Sequence, residues 1–165
     1  MTIFNVDQLA QLLKNLNFKK LVVVGGCFDL LHLGHITFLQ KAKEKGEVLL
    51  VLVESDDTIQ KLKGENRPIH SQSTRAQILA ELKSVDFVLM LPPLNNDQAY
   101  DQLITALHPS VIATTQGDPY DFHKKRQAKK IGAKMLYVTP EIQDHSTSNT
   151  IKKIKNSGVI RSKDL

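Results

Sequence analysis

The sequence predicts an α/β fold, an open five-stranded parallel sheet with helices on both faces. Two observations carry that expectation. Five short apolar runs stand out: LVVV at 21–24, VLLVLV at 48–53, DFVLML at 86–91, SVIAT at 110–114 and KMLYVT at 134–139. They are continuous, as strands covered on both faces should be, whereas a sheet with one wet face needs alternation. Between them lie segments with helical spacing, and strand alternating with helix implies right-handed crossovers within one parallel sheet.

Taken in order, the chain begins with an amphipathic stretch around Val6 to Leu16, read as an N-terminal helix within residues 1–18 that packs on as an extra element. The first apolar run then leads into GGCFDLLHLGH at 25–35, a loop that enters a helix striped by Ile36, Leu39 and Ala42, with Gly46 as its C-cap. After the second run comes a loop, Lys61 to Ile69, and then a helix opened by Arg75 and striped by Ile78, Leu79 and Leu82. The third run is followed by a helix striped by Leu103, Ile104 and Leu107, and the fourth by the turn Gly117-Asp118-Pro119-Tyr120. Beyond the fifth run, Ser146, Thr147 and Ser148 stand where a last helix should start, and Asn156 to Leu165 reads as a loosely ordered tail. No repeat, low-complexity segment or long linker divides the chain, so 1–165 reads as one domain.

Composition narrows the function. No apolar stretch approaches the ~20 residues needed to span a bilayer. The amphipathic N-terminus argues against a signal peptide, and a cytoplasmic location is the economical reading. A single cysteine, Cys27, rules out an internal disulfide framework and a multi-cysteine zinc site. Charge is uneven. From His123 onward basic residues far outnumber acids, whereas the preceding residues are net acidic although the whole chain carries +5. A basic C-terminal third suits an anionic ligand, or is a solvated helix face. Aromatic residues are only 5% with no Trp, too few for the stacking platforms of a nucleic-acid binder.

The loop at 25–35 carries the chemistry. Ligands of open parallel sheets bind beyond the carboxyl ends of the strands, which is where this loop falls. It matches neither the Walker A string nor the dinucleotide fingerprint. Glycines and a helix start still outline an anion site, with His32 and His35 able to donate to phosphate oxygens. Two histidines without cysteine or carboxylate partners are weak evidence for a metal. Cys27 could be a nucleophile, but no base accompanies it in sequence, and a small buried thiol fits better.

Phe28-Asp29-Leu30-Leu31-His32-Leu33-Gly34-His35 resembles the His-x-Gly-His signature of the cytidylyltransferase-like nucleotidyltransferase superfamily. The resemblance implies a Rossmann-like fold and one reaction type. A substrate phosphate attacks the α-phosphorus of a nucleoside triphosphate, pyrophosphate leaves with Mg²⁺, and the histidines stabilise the phosphorus in transfer. Lys61-Leu62-Lys63-Gly64-Glu65-Asn66-Arg67-Pro68-Ile69 resembles the family's lysine-bearing loop over the triphosphate, and Arg75-Ala76-Gln77-Ile78-Leu79 its next helix start. Ser146, Thr147 and Ser148 resemble its Ser-Thr-Thr segment on the nucleotide phosphates, and Gly117-Asp118 the segment lining base and ribose.

Carried over residue by residue, the resemblance implies that His32, His35 and Lys63 are catalytic. It implies nucleotide binding by Gly26, Cys27, Phe28, Gly34, Lys61, Arg75, Gly117, Asp118, Ser146, Thr147 and Ser148. No protein ligand for a metal is assigned, Mg²⁺ being carried by the triphosphate. The best likeness is to the adenylyltransferase domain of bacterial ADP-heptose synthesis, which favours ATP and a heptose 1-phosphate. The run Glu141-Ile142-Gln143-Asp144 lacks the Arg that glycerol-3-phosphate cytidylyltransferases place before their Ser-Thr-Thr, and FAD synthases of the archaeal type share the Lys-Leu-Lys-Gly loop. CTP with a polyol phosphate, or ATP with FMN, therefore stay as alternatives, as does a nucleotide-binding regulatory module. Three departures from the heptose branch, at Gly25, at Thr115-Gln116 and at Pro92-Pro93, fall where the acceptor or base should be recognised. A homodimer is expected from the resemblance.

Overall fold

The computed structural model describes residues 2–16, 20–94 and 96–140. They form a Rossmann-like α/β fold around a six-stranded sheet: β1 Ile3–Asn5, β2 Leu21–Gly26, β3 Val48–Val53, β4 Phe87–Met90, β5 Val111–Thr115 and β6 Lys134–Thr139. The order across the sheet is β1-β4-β3-β2-β5-β6, and every pairing is parallel. Five strands are the apolar runs. The sixth corrects the sequence reading: Ile3–Asn5, expected within the N-terminal helix, pairs with β4 through Ile3 to Val88 and Asn5 to Met90.

Asn5 ends that strand and starts the helical segment. Its side chain accepts from the Gln8 backbone N–H at 3.2 Å, while the Gln8 side chain accepts from the Asn5 backbone N–H at 3.0 Å. This reciprocal cap satisfies two otherwise orphaned donors. A short 3₁₀ turn, Val6–Gln8, then runs into α1, Leu9–Leu16. The remaining helices are α2 Leu33–Lys43, α3 Asp56–Lys63, α4 Gln72–Ala80, α5 Asp97–Leu107 and α6 Asp121–Ile131.

Alternate residues of each strand enter two separate cores. Val23, Leu50, Leu52 and Ile112 pack against Leu12 and Leu16 of α1, Leu103, Ile104 and Leu107 of α5, and Ala128 of α6. Val22, Val24, Val51 and Ala113 pack on the other face against Phe38, Leu39 and Ala42 of α2 and Ala76 and Leu79 of α4. This two-sided burial is why β3 is apolar throughout, with all six residues buried.

Two helix details differ from the sequence expectation. α2 ends at Lys43 with Glu44 as its cap, so Gly46 is not the cap. Gly46 instead lies where a Cβ would stand 2.5 Å from the Lys20 carbonyl oxygen, and glycine lets two backbones touch. In α4 the buried stripe is Arg75, Ala76 and Leu79; Ile78 is 38% exposed and Leu82 falls beyond the helix end. An arginine in the buried stripe hid the true face from an apolar-residue count.

From β2 the chain steps to β3 and β4 on one side, then returns to β5 on the other. The order reverses at β2, so the ligand crevice of such a sheet opens between the carboxyl ends of β2 and β5. Gly46→Ala is expected to cost about 1–3 kcal/mol in urea denaturation, because the new methyl meets a backbone oxygen rather than a movable side chain. An unchanged midpoint would show that the Lys20 carbonyl yields freely.

Candidate active site

The loop from β2 to α2 is the frame of the site. Phe28 and Leu30 adopt left-handed conformations, with φ of 48° and 50°, costing roughly 1–2 kcal/mol each. Asp29 between them holds the loop in place. Its carboxylate, 1% exposed, accepts from Arg67 Nε at 2.7 Å and from the backbone N–H groups of Ile69 and His70 at 2.9 and 3.0 Å. Those donors hold the Asp29 carboxyl below its usual range against the opposing effect of burial, the largest single influence on it. Gly26 is required by the same loop, because a Cβ there would lie 3.1 Å from the Phe28 ring.

His32 is the residue before the first turn of α2, and His35 lies within that turn. Their rings stack with centroids 3.8 Å apart and planes 24° from parallel, and the Phe28 ring stands 5.5 Å from His35. Burial, with the neighbouring His32 and the positive charge of Lys63, pushes the His35 pKa down to about 3. His35 is therefore a neutral imidazole at neutral pH, and its buried Nδ1 has no hydrogen-bond partner among the described residues. Gly34 is buried between the two histidines, where a helix N-terminus presents its unpaired N–H groups.

Lys61 and Lys63 were expected in a loop. They occupy the last turn of α3, whose start is capped by Ser55 accepting from the Thr58 N–H and whose end is Gly64 at φ 95°. Both lysines are exposed, and the charge of Lys63 acts on His35 and on Cys27, so the structure brings it to the histidine loop. Cys27 is half-buried, and burial pushes its thiol up, away from the thiolate a nucleophile needs.

Arg75 is placed differently from its nucleotide-binding expectation. It is 1% exposed, and its guanidinium donates to the carbonyls of His70 (3.0 Å), Cys27 (2.6 Å) and Glu54 (2.8 Å) and to Asp56 Oδ1 (2.6 Å). With four of its five N–H donors engaged by the protein, it positions the strand ends. Gly117 sits at φ 77° after β5. Asp118 accepts from Thr114 Oγ1 at 2.5 Å, from the Tyr120 N–H at 2.8 Å, and from Lys124 Nζ. Burial opposes its ionisation, but Lys124 and the other donors hold the carboxyl below its ordinary value. Ser146, Thr147 and Ser148, and the tail at 156–165, lie outside the described residues.

Sequence reasoning passed over several residues of this rim. Asp29 and Arg67 stood inside quoted motifs without a role. Glu54 directly follows β3, and its position at a strand's carboxyl end was the signal that could have found it. Its carboxylate accepts from Tyr100 OH of α5 at 2.9 Å, and Lys124 reaches the rim from α6. No sequence signal marks either partner, because each arrives through tertiary packing.

A profile of the cytidylyltransferase-like family matches residues 23–162. The chain belongs to that family. Membership makes it a nucleotidyltransferase and agrees with the histidine loop, which falls within the matched span. It is 38% identical over 162 residues to the bifunctional protein HldE of Helicobacter hepaticus, covering 96% of this chain and 31% of that protein. It is 37% identical over 156 residues to that of Aliarcobacter butzleri, covering 94% of this chain and 31% of that protein. The chain thus spans about a third of the length of these relatives. Among solved structures it is similar to the lipopolysaccharide core biosynthesis protein of Thermoplasma volcanium, with a TM-score of 0.59, 26% identity, and coverage of 74% of this chain and 95% of that one. It shares its fold with the pantoate-beta-alanine ligase of Francisella tularensis, with a TM-score of 0.65, 18% identity, and coverage of 95% and 77%. No helix among the described residues is long and apolar enough to cross a membrane.

Asp29→Ala leaves the Arg67 guanidinium buried without its counter-ion and two amides without an acceptor. It should cost about 3–5 kcal/mol in denaturant unfolding, and a loss under 1 kcal/mol would deny the loop its anchor. The His35 pKa lies below that of an unfolded histidine, so the unfolded chain binds a proton first as pH falls from 6.5 toward 3. That stability is fully present above pH 6.5 and is lost through this window. Urea unfolding between pH 7 and 4 should therefore fall more steeply in the wild type than in His35→Gln, by at most ~1.4 kcal/mol per pH unit. Parallel slopes would mean that His35 titrates normally in the fold.

Proposed function

We propose that the chain transfers an adenylyl group from ATP to a sugar phosphate, with heptose 1-phosphate as the acceptor that the sequence resemblance favours. An oxygen of the acceptor's phosphate attacks the α-phosphorus of ATP. The bond from that phosphorus to the oxygen bridging the α- and β-phosphates breaks, and pyrophosphate leaves. The observation that carries this reading is the stacked His32–His35 pair at the start of α2, beside the crevice where the strand order reverses. A neutral imidazole donates a hydrogen bond to a phosphoryl oxygen without first losing a proton, and the desolvation that keeps His35 neutral also strengthens that bond as negative charge develops.

In this reading Lys63, with Lys61 beside it, closes on the triphosphate from the end of α3. Gly117 and Asp118 face the base and ribose. Ser146, Thr147 and Ser148 keep the phosphate-binding role that the resemblance implies. Among the described residues no group of three or more His, Cys, Asp or Glu is placed to hold a metal ion. On the sequence resemblance Mg²⁺ is assigned to the triphosphate, where it would supply charge neutralisation for the departing pyrophosphate. The relative from Thermoplasma volcanium is named for lipopolysaccharide core biosynthesis, which supports a saccharide acceptor. A homodimer, on the resemblance alone, and a cytoplasmic location, on composition, complete the reading.

Pyrophosphate release should appear with ATP and heptose 1-phosphate and be at least tenfold slower with CTP. His35→Ala should lower kcat by about 10²-fold or more, the usual cost of one aligned electrostatic donor. CTP preference sinks the adenylyl assignment, and turnover of His35→Ala within tenfold of wild type sinks the role of that histidine.

A further inference from the structure

One group at the crevice is not used by this reaction. Side-chain alternation along the strands places Gly25, Glu54 and Thr114 on the face covered by α5 and α6, since Val23, Leu52 and Ile112 pack there. Val23 pairs with Ile112, so Gly25, two residues on, lies level with Thr114. Gly25 leaves a notch: a Cβ built on it would have only the Leu52 Cβ nearby, at 3.9 Å. One wall of the notch is Glu54 with Tyr100. The other is Thr114, Asp118 and Lys124, and the charge of Lys124 acts on Glu54 from across the gap.

The Glu54–Tyr100 bond is costly for a mere tie between α5 and the sheet. Burial is the main influence on Glu54 and raises its carboxyl, and burial likewise raises the Tyr100 hydroxyl. The Tyr100 hydrogen bond and the charges of Arg75 and Lys124 oppose that effect without cancelling it, and a neutral pair of the same shape would tie the elements at less cost. Tyr100 donates to Oε2, and no hydrogen bond to Oε1 is made by the described residues. Among the described residues nothing fills the notch beside this carboxylate, which leaves its second oxygen able to accept hydrogen bonds from something that enters.

We propose that Glu54, oriented by Tyr100, selects the acceptor by taking hydrogen bonds from neighbouring hydroxyls of a sugar or polyol phosphate lying over Gly25. The inference rests on the transfer reading above and adds to it the group that recognises the acceptor. Hydroxyls are the donors that such a carboxylate takes without a competing charge. An acceptor's phosphate is repelled by Glu54 and directed toward the histidines and Lys63, the orientation that attack on the α-phosphorus requires. The glycine at 25 then has a purpose, since any side chain there would fill the space the hydroxyls occupy.

The test uses the full chain with heptose 1-phosphate as probe, read by pyrophosphate release and by calorimetric binding in the presence of a non-hydrolysable ATP analogue. Glu54→Gln still accepts from Tyr100, so the tie between α5 and the sheet is kept. It should raise the KM and Kd for heptose 1-phosphate by about tenfold or more, the loss expected when charged acceptors become neutral. Affinity for the ATP analogue should stay within twofold. Tyr100→Phe should weaken the acceptor in the same direction but less. If wild type turns over and Glu54→Gln leaves acceptor KM and Kd within twofold, the inference falls and the transfer reading stands. If wild type binds the probe through Glu54 but releases no pyrophosphate, the transfer reading falls and the recognition stands. If the probe neither binds nor reacts, both fall.

Discussion

Arg75 holds together segments that would otherwise meet the ligand as separate mobile loops. Its guanidinium reaches the backbone leaving β2 at Cys27, the backbone leaving β3 at Glu54 and the turn before α4 at His70, with Asp56 as counter-charge. Loops at the ends of parallel strands have few partners of their own, and a planar fork of fixed geometry is well suited to set distances between them. Asp29 does the converse a few residues away, gathering two amides and Arg67 around one carboxylate. A cation collecting carbonyls and an anion collecting N–H groups thus fix the histidine loop from both sides. The backbone polar groups of an irregular buried segment are satisfied in the process.

The consequence for the site is that its chemical groups sit on a stiff support. Two left-handed residues, Phe28 and Leu30, are tolerable only because these contacts over-determine the loop between them. His32 and His35, three residues apart at the start of α2, fall on one side of its first turn, and their rings stack 3.8 Å apart there. Electrostatics then divide the crevice. The side of α2 and α3 holds neutral imidazole and exposed ammonium groups that suit phosphate, while the side of α5 and α6 holds the carboxylates of Glu54 and Asp118.

Much of this was legible from sequence, for identifiable reasons. The four interior strands announced themselves because burial on both faces demands unbroken apolar residues, the edge strand β6 as a fifth apolar run, and the histidine loop because its spacing is specific. β1 escaped because three residues, Ile3–Asn5, are too few for periodicity and adjoin a helical pattern. The resemblance places Lys61 and Lys63 in a loop, although Ser55 followed by Asp56 and Asp57 is a helix-start signature for α3. The nucleotide-binding role of Arg75 rests on the family resemblance alone. Its burial depends on three carbonyls from distant segments, which no local pattern encodes. Glu54, Tyr100 and Lys124 share that difficulty, each coming from a different element.

β1 stands at one edge of the sheet, and this shapes how the protein acquires its structure. β1 has a single neighbour, β4, whose residues lie far along the sequence. As the polypeptide emerges from synthesis, Ile3–Asn5 and the apolar side of α1 have nothing to dock on until most of the sheet has been made. For that interval Leu12 and Leu16, both buried in the finished fold, are open to solvent and to other chains. Closing this long-range pair should come late in folding, after the local βαβ units have condensed. Slow assembly there would place the period of greatest aggregation risk on α1, whose apolar side waits for a partner strand far along the sequence.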